Sequence, residues 1–279
     1  MSVAGRPACS LAILCLLAAA PAAAEDLPLW ELGAGIGAFA LPDYRGSDQG
    51  RGYVLPVPYV VYRGKFLKSD RKGVRGTLFD SERLDLNLSA GLSLPVDSSQ
   101  NAARRGMPDL APSLELGPSL EIALWRAQER RDVLALRLPL RAAVTLEGSP
   151  RAIGWVATPQ LNLDLVGKGA LSGWNLGLLA GLVYGSRRQH QYFYGVAPEF
   201  ATAARPAYDA PGGYAGMQFV AAASRRFSRF WVGAYLRADT LRGAVFDASP
   251  LLKRDTYVAG GVGFAWVLGQ SEQRVQAEE

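Results

Sequence analysis

The sequence predicts an all-β protein, a transmembrane antiparallel β-barrel of about twelve strands, with about ten strands as the alternative. Three observations support this fold class: apolar residues at alternate positions, apolar rows without charge, and aromatic residues at the row ends. The stretch RLDLNLSAGLSL, residues 83–94, shows the first, with an apolar residue at every even position from Leu84 to Leu94. Alternation of period two over about ten residues is typical of a strand.

The same alternation recurs along the chain and carries the other two observations. Charged residues make up 20% of the sequence, yet none stands in the apolar rows. A Lys or Arg side chain facing the middle of a bilayer costs roughly 2–4 kcal/mol, which excludes it from a lipid-facing row. The opposite rows hold mainly Gly, Ser and Asn, as in a crowded polar interior and unlike the wetted face of a soluble sandwich. Aromatic residues end several rows, where interfacial girdles belong, at Trp30, Trp174, Tyr184, Phe230 and Trp266.

The order of strands and connections follows the pattern of outer-membrane barrels. The predicted strands span residues 29–41, 52–63, 64–69, 72–79, 83–94, 112–125, 132–145, 152–166, 173–184, 213–226, 229–242 and 255–268. Short turns then share one side, which we assign to the periplasm together with both termini. Long connections fall on the other side, at 42–51, 95–111, 185–212 and 243–254. The two strands within 64–79 look too short to span, which leaves the ten-strand alternative open.

Several prolines oppose the scheme because each removes a ladder donor from a strand. They lie within predicted strands, where bulges or local edge exposure would have to absorb them, at Pro56, Pro58, Pro118, Pro139 and Pro159.

The two ends of the chain differ from the barrel in composition. Residues 1–24 combine Arg6, an apolar run and an A-x-A site, as in a cleavable signal peptide. Cys9 and Cys15 would leave with it, so we expect no disulfide in the mature protein. We expect the barrel to occupy residues 25–268. Residues 269–279 then form a polar periplasmic tail, solvated or serving as a partner-binding peptide.

Composition and motifs weigh against several function classes. The net charge of +5 is carried mostly by Arg, without a basic cluster interleaved with stacking aromatics, so nucleic acid is not expected as a partner. The single histidine, His190, has no nucleophile motif nearby, and we interpret it as an exposed loop residue. We therefore expect no enzyme, no cofactor and no metal site. Asp43 and Asp48 carry no calcium-binding signature.

Ionisable residues at inward positions form the first candidate site. In a narrow lumen these charges should meet and pair, because the Arg fork binds carboxylates bidentately. The result would be a salt-bridge network that closes the pore, or an eyelet selective for small anions. The candidates are Arg137, Arg141, Arg237, Asp239, Asp85, Glu115, Glu121 and Asp164.

Connecting segments supply two further candidates. The 185–212 connection mixes Arg with aromatic residues, so it forms either an outer contact surface or an inward plug. Its candidate contacts are Arg187, Arg188, Tyr192, Phe193, Tyr194 and Tyr208. The turn RAQERRD, residues 126–132, is short and charged, which suits either solvation or docking of a periplasmic partner.

Four stretches resemble the MipA/OmpV family of Gram-negative outer-membrane proteins, the MltA-interacting proteins. They are DYRGSDQGRGYVLPVPYVVYRG, FLKSDRKGVRGTLF, LNLSAGLSLPVDSSQNAARRGMPDLAPSLELGPSLEI and RADTLRGAVFDASPLLKRDTYVAGGVGFAWVLG, and the similarity spans essentially the mature chain. It implies a scaffold between a lytic transglycosylase and a penicillin-binding murein synthase, with no catalytic residues. Other members are surface antigens or adhesins.

These expectations combine into one hypothesis. We expect a monomeric, non-enzymatic barrel, exported to the outer membrane, which docks murein hydrolase and synthase machinery. A narrow channel for small solutes and a surface antigen or adhesin are the alternatives. Many barrels end on an aromatic residue, whereas the strand-like sequence here ends with Phe264, Trp266 and Leu268, before the tail.

Overall fold

The computed structural model describes residues 26–63, 67–70, 73–81, 83–127 and 132–276. The predicted signal peptide therefore lies outside the described residues, as do the last three residues of the chain and parts of four turns. No helix in the described ranges is long and apolar enough to cross a membrane.

Antiparallel strands make up most of the described chain. In chain order they are β1 (Asp26–Pro28), β2 (Trp30–Pro42), β3 (Gly50–Arg63), β4 (Leu67–Asp70), β5 (Gly73–Asp80), β6 (Leu84–Ser93), β7 (Ser113–Arg126), β8 (Val133–Thr145), β9 (Ala152–Ala157), β10 (Gln160–Val166), β11 (Trp174–Gly185), β12 (Gly213–Arg226), β13 (Phe230–Thr240), β14 (Thr256–Gln270) and β15 (Arg274–Gln276). The α-helix α1 (Arg187–Tyr194) lies between β11 and β12.

The main sheet closes into a barrel. It contains 13 strands, from β2 to β14, and β10 and β9 add pairings to β8 and β11 respectively. Since β9 and β10 both lie between β8 and β11, they are two halves of one wall strand, broken at Thr158 and Pro159. The ring of described strands thus has about twelve positions, which confirms the predicted architecture.

The outer surface of this barrel is formed by the uncharged apolar rows. Ile36, Leu92, Leu236 and Leu268 are 52%, 76%, 58% and 75% exposed, whereas their neighbours in the chain are buried or partly buried. A water-soluble protein rarely exposes a continuous apolar belt of this kind. Alternation of exposed apolar and inward small or polar residues is the pattern of a transmembrane barrel.

One side of the lumen packs aromatic rings over glycines. A Cβ added to Gly37 would come within 2.5 Å of the Phe39 ring, and one added to Gly233 within 2.3 Å of the Trp231 ring. The Tyr59 and Trp231 rings lie 6.3 Å apart, across the lumen side of β3 and β13. The glycines are therefore required for space, because the rings fill the positions that side chains would take.

The strand prolines lie at irregular points of the wall. Pro159 separates β9 from β10, and Pro139 accepts a hydrogen bond from the Thr158 N–H at 3.2 Å. Pro118 faces Leu88 in β6. Pro56 and Pro58 of β3 pair with β2, and their missing N–H groups would point to the opposite edge.

The first and last described strands pair with each other, within the segment predicted as a tail. β14 continues to Gln270, and β15 pairs with β1 through Leu27 opposite Val275. The predicted solvated extension from 269 therefore contains the end of one strand and a second short strand. Backbone pairing in a two-stranded ribbon needs no apolar face, so hydrophobic periodicity does not reveal it.

The long connections fold over one end of the barrel as a cap with its own apolar core. We call this unit the loop cap; it comprises 43–49, 94–112, 186–212 and 241–255 with α1. Tyr44, Leu110, Tyr194, Leu241 and Phe246 are buried in its core. The side chain of Ser186 caps α1 by accepting a hydrogen bond from the Gln189 N–H. The end opposite the loop cap carries the short turns together with β1 and β15.

Candidate functional site

The centre of the loop cap is an aromatic stack around the single histidine. His190 is 1% exposed, and its ring lies 4.7 Å from that of Phe246. The interpretation of His190 as an exposed loop residue was wrong, because α1 turns this side chain inward. Its Nδ1 lies 2.6 Å from the Pro211 carbonyl oxygen, so Nδ1 carries the proton and donates it. Burial lowers the pKa of His190, which keeps the ring neutral.

The aromatic candidates for outer contacts belong to the same cap. The Tyr194 hydroxyl donates to the Arg45 carbonyl oxygen at 2.9 Å, and burial raises the pKa of Tyr194. The Ala111 N–H donates to the Tyr192 hydroxyl at 2.8 Å. Phe193 and Tyr208 are partly buried against the core. The aromatic side chains of the 185–212 connection therefore pack inward and do not form an outer contact surface.

The arginine candidates on the same connection remain at the surface. Arg187 and Arg188 are exposed, and Arg187 pairs with Asp209. An outer contact through this segment would thus depend on charge, without the aromatic side chains.

A charged wall runs along the lumen side of β6, β7, β8 and β10. Arg137 Nε lies 2.8 Å from Glu121 Oε2, and Arg137 Nη2 lies 3.4 Å from Asp164 Oδ2. Arg141 Nε lies 3.0 Å from Glu115 Oε2. Strand register places Glu121 directly opposite Arg137, whereas Glu115 lies opposite Ala143 and reaches Arg141 diagonally. Asp85 of β6 is partly buried and lies opposite Glu121 of β7.

The remaining two lumen candidates form a cluster with a loop residue that the sequence pattern does not identify. Asp239 is 1% exposed and accepts from Arg237 Nη2 at 2.8 Å and Arg45 Nη2 at 3.0 Å. Two guanidinium groups on one carboxylate leave one positive charge without a counter-charge in the cluster. Arg45 lies in a connection, where strand parity makes no prediction, so only the fold brings it here.

A second cluster, also absent from the sequence candidates, lies at the end with the short turns. Glu31 is 4% exposed, with Oε1 lying 3.0 Å from Arg63 Nη2 and Oε2 lying 2.7 Å from Arg226 Nη2. Arg63 Nη1 also donates to the Pro28 carbonyl oxygen at 2.8 Å. The sequence pattern could have placed Glu31 in the lumen, because Glu31 lies at an odd position of β2, as the inward-facing glycines of that strand do.

A cavity of about 390 Å³ lies between the loop cap and the charged wall. Arg45, Arg141 and Arg237 line it together with Tyr53 and Leu92. Its size lies within the range of small-molecule sites, and its lining mixes aromatic rings with a few polar groups, as such sites do. Among the described residues, no group of three or more His, Cys, Asp or Glu side chains is placed to hold a metal ion.

The closed antiparallel wall, its exposed uncharged belt and its charged lumen define an outer-membrane β-barrel. The family model described as MltA-interacting protein MipA matches residues 34–268, and the chain belongs to this family.

Other comparisons add little to this assignment. Among curated proteins there is no match to this sequence. A solved structure, the COG4313 outer membrane channel from Pseudomonas putida F1, is similar at 12% sequence identity with a TM-score of 0.38, covering 89% of this chain and 99% of that chain. The class of the protein follows from its own fold and from the family.

Proposed function

We propose that this protein is a non-enzymatic docking protein that holds a murein transglycosylase at the inner face of the outer membrane. The family description names such a partner, MltA. A murein synthase is the second partner that the family resemblance implies. The observation that carries the proposal is a basic surface at the end with the short turns.

This basic surface is defined by the exposed charges of the described turns and terminal segment. Among the side chains that the structure describes there, five are exposed cations and one is an exposed acid, Glu272. The cations are Arg83, Arg126, Lys168, Arg229 and Arg274. Barrels of this class direct their short turns to the periplasm, which is the compartment that contains murein. A surface of one sign steers a partner of the opposite sign and orients it on contact.

The backbone beneath the basic surface is firmly held, which suits a docking site. The Glu31 cluster ties β2 to β3 and β12. The pairing of β1 with β15 then joins the N-terminal and C-terminal segments beside it. A partner would meet a preorganised face and would lose little conformational entropy in ordering it.

Binding between purified components tests the proposal. The refolded barrel in detergent is expected to retain a purified, lipid-free murein transglycosylase, with affinity that falls as salt rises. The double variant Arg126→Glu/Arg229→Glu should weaken binding by roughly tenfold or more, as charge reversal at an interface does. The matched control Arg105→Glu/Arg188→Glu, on the loop-cap end, should bind like the wild type. No retention of the enzyme by the wild-type barrel overturns the proposal.

The alternative function of a narrow channel is favoured by the cavity and the charged lumen. Charged rings set the ion selectivity of a pore. If the barrel conducts, Arg141→Ala or Arg237→Ala should shift its anion preference in planar bilayers, whereas Arg229→Ala should not. A wild-type barrel that shows no conductance rules this alternative out.

A further inference from the structure

The cavity under the loop cap is lined by guanidinium groups from three separate segments. Arg45 belongs to the connection after β2, Arg141 to β8 and Arg237 to β13. Arg141 is neutralised by Glu115. Arg45 and Arg237 share the single carboxylate of Asp239. We propose that this cavity is a binding site for small aromatic monocarboxylates, and that Arg237 holds the carboxylate.

The charge balance of the cavity determines the charge of the ligand. A third acid that lines the cavity, Asp43, is paired with Arg51. Among the described residues that line the cavity or pair with its lining, four guanidinium groups thus face three carboxylates. One positive charge is left over, and it lies in an enclosed site where an opposite charge is attracted more strongly than in water. A monoanion balances it, whereas a dianion would bring a buried charge without a partner.

Arg237 is the guanidinium group that still has donors for a ligand. Its Nε donates to Asp239 Oδ2 and its Nη2 to Asp239 Oδ1, whereas its Nη1 makes no hydrogen bond to the described part of the chain. Arg45, by contrast, uses Nε and Nη2 on Asp239 and Nη1 on the Ala215 carbonyl oxygen. The Arg237 side chain is 32% exposed, and the Asp239 side chain is fully buried. A carboxylate in the cavity therefore meets Nη1 and the second N–H of Nη2, which fit its two oxygens.

The residues beside Arg237 leave room for the anion and give its ring a surface to contact. Ala259 of β14 lies directly opposite Arg237 and lines the cavity with only a methyl group. Tyr235 also lines the cavity and lies two residues before Arg237 on β13. Because alternate residues of a strand share one face, the Tyr235 ring stands beside the guanidinium group. A ligand held by its carboxylate on Arg237 can extend its own ring along Tyr235.

The other aromatic side chains of the cavity favour a flat ligand. Rings line it from the barrel wall and from the loop cap, namely those of Tyr53, Tyr184, Tyr257, Tyr44 and Tyr194. Aromatic rings attract one another in offset and edge-to-face arrangements, a contact that a saturated ring of the same size does not make. The volume of about 390 Å³ accommodates one ring with its carboxylate. Charge and shape together therefore select an aromatic monocarboxylate.

Fluorine NMR of a bound probe tests the charge and the ring together. The probe is para-fluorobenzoate, titrated at constant ionic strength with the full mature barrel in an uncharged detergent. We expect saturable broadening of its signal, reversed by unlabelled benzoate. Acetate has no ring, cyclohexanecarboxylate has no flat ring and benzyl alcohol has no charge, so all three should compete poorly. Absence of saturable broadening, or competition by any of these three that equals that of benzoate, overturns the proposal.

Variants locate the binding site in the cavity. Arg237→Gln should weaken binding of the probe roughly tenfold, as expected for loss of a hydrogen-bonded charge, and Arg237→Lys should keep part of the affinity. Tyr235→Leu keeps the charge and should narrow the preference for benzoate over cyclohexanecarboxylate. Arg254→Gln, which removes an exposed cation of the loop cap, is the matched control and should bind like the wild type. Wild-type affinity in Arg237→Gln, with heat-modifiable gel mobility showing a folded barrel, overturns the proposal.

The outcome is independent of the docking and channel experiments. Retention of a transglycosylase depends on the opposite end of the barrel, and Arg237→Gln should leave it unchanged. A barrel that binds para-fluorobenzoate without conducting ions keeps this site and loses only the channel function. A barrel that conducts but shows no saturable broadening loses only the site.

Discussion

The ring of Tyr194 stacks on that of Phe246 with centroids 3.8 Å apart and planes inclined by 11°. This contact joins α1 to the connection between β13 and β14, two segments about fifty residues apart in the chain. Both rings lie in the buried core of the loop cap, and Tyr194 also lines the cavity, so we expect the stack to hold the cap closed.

Truncating the stack should open the loop cap while the barrel remains folded. Phe246→Ala removes a fully buried ring, a change that typically costs about 3–5 kcal/mol. Limited trypsin digestion should then cleave at Arg187 or Arg188 much faster than in the wild type. Leu171→Ala, at an exposed position on the other end, serves as the control and should not change the rate. Unchanged cleavage in Phe246→Ala would contradict the role given to the stack.

Neutralising Asp239 should destabilise the barrel strongly. Asp239→Asn leaves Arg45 and Arg237 without their shared carboxylate, and breaking a buried ion pair costs about 3–5 kcal/mol. Urea-induced unfolding in lipid vesicles measures the change. The matched control Asp209→Asn breaks an exposed pair with Arg187 and should cost at most about 1 kcal/mol. The double variant Asp239→Asn/Arg45→Gln should recover part of the loss, and equal effects of the two single variants would refute the cluster's importance.

Neutralising Glu31 should release the chain ends. Glu31→Gln leaves Arg63 and Arg226 without their carboxylate and loosens the segment that β1 and β15 form. Hydrogen exchange should become faster in 26–31 and 271–276 but remain slow in the loop cap. Glu272→Gln, an exposed acid near the same end, is the control. Exchange that stays unchanged in the first variant would mean that backbone pairing alone holds the ends.

The loop cap should weaken in acid because of His190. Burial lowers the pKa of His190 below its ordinary value of 6.5, so the opened cap binds the proton more readily than the closed one. The stabilising contribution is therefore present above about pH 6.5 and is lost as pH falls below it. Loop cleavage by a protease active across this range should accelerate between pH 7.5 and 5. His190→Gln should remove most of that dependence, and an unaltered pH profile in the variant would exclude this histidine as the cause.

Replacing a lumen glycine that lies under an aromatic ring should lower the stability of the barrel. Gly233→Ala places a Cβ 2.3 Å from the Trp231 ring, so the ring must shift at a cost of about 1–3 kcal/mol. Gly52→Ala is the matched control, since a Cβ there meets nothing within 4 Å. Vesicle refolding yields and urea midpoints compare the two variants. Equal stability of both would show that the ring moves freely.

How far the sequence predicts this fold can be seen along individual strands. The alternating leucines of 83–94 predicted β6 and its outward row, and the same rule located β7, β8 and β11. The rule also selected inward charges such as Arg137 and Glu121, because parity assigns a side chain to one face of a sheet. It missed the pairing of β1 with β15, where no apolar row exists.

The loop cap marks the limit of such reasoning. The position of His190 in a connection predicts an exposed side chain, yet α1 buries it against Phe246 from a distant connection. No sequence pattern predicts the contact between Arg45 and Asp239, because neither periodicity nor spacing links a loop to the strand that it covers. Contacts of this kind depend on which connections meet above the barrel.

Local alternation by itself determined the fold class, the approximate number of strands and the side of the wall that each strand residue faces. The reason is that a bilayer excludes charged side chains from the lipid-facing positions, which are every second residue of each strand. The sequence of a strand therefore shows which of its residues face lipid. Tertiary structure alone decided the buried stack and the three-residue charge clusters. Those features arise from register and from the meeting of distant connections, which depend on the free energy of the whole closed ring.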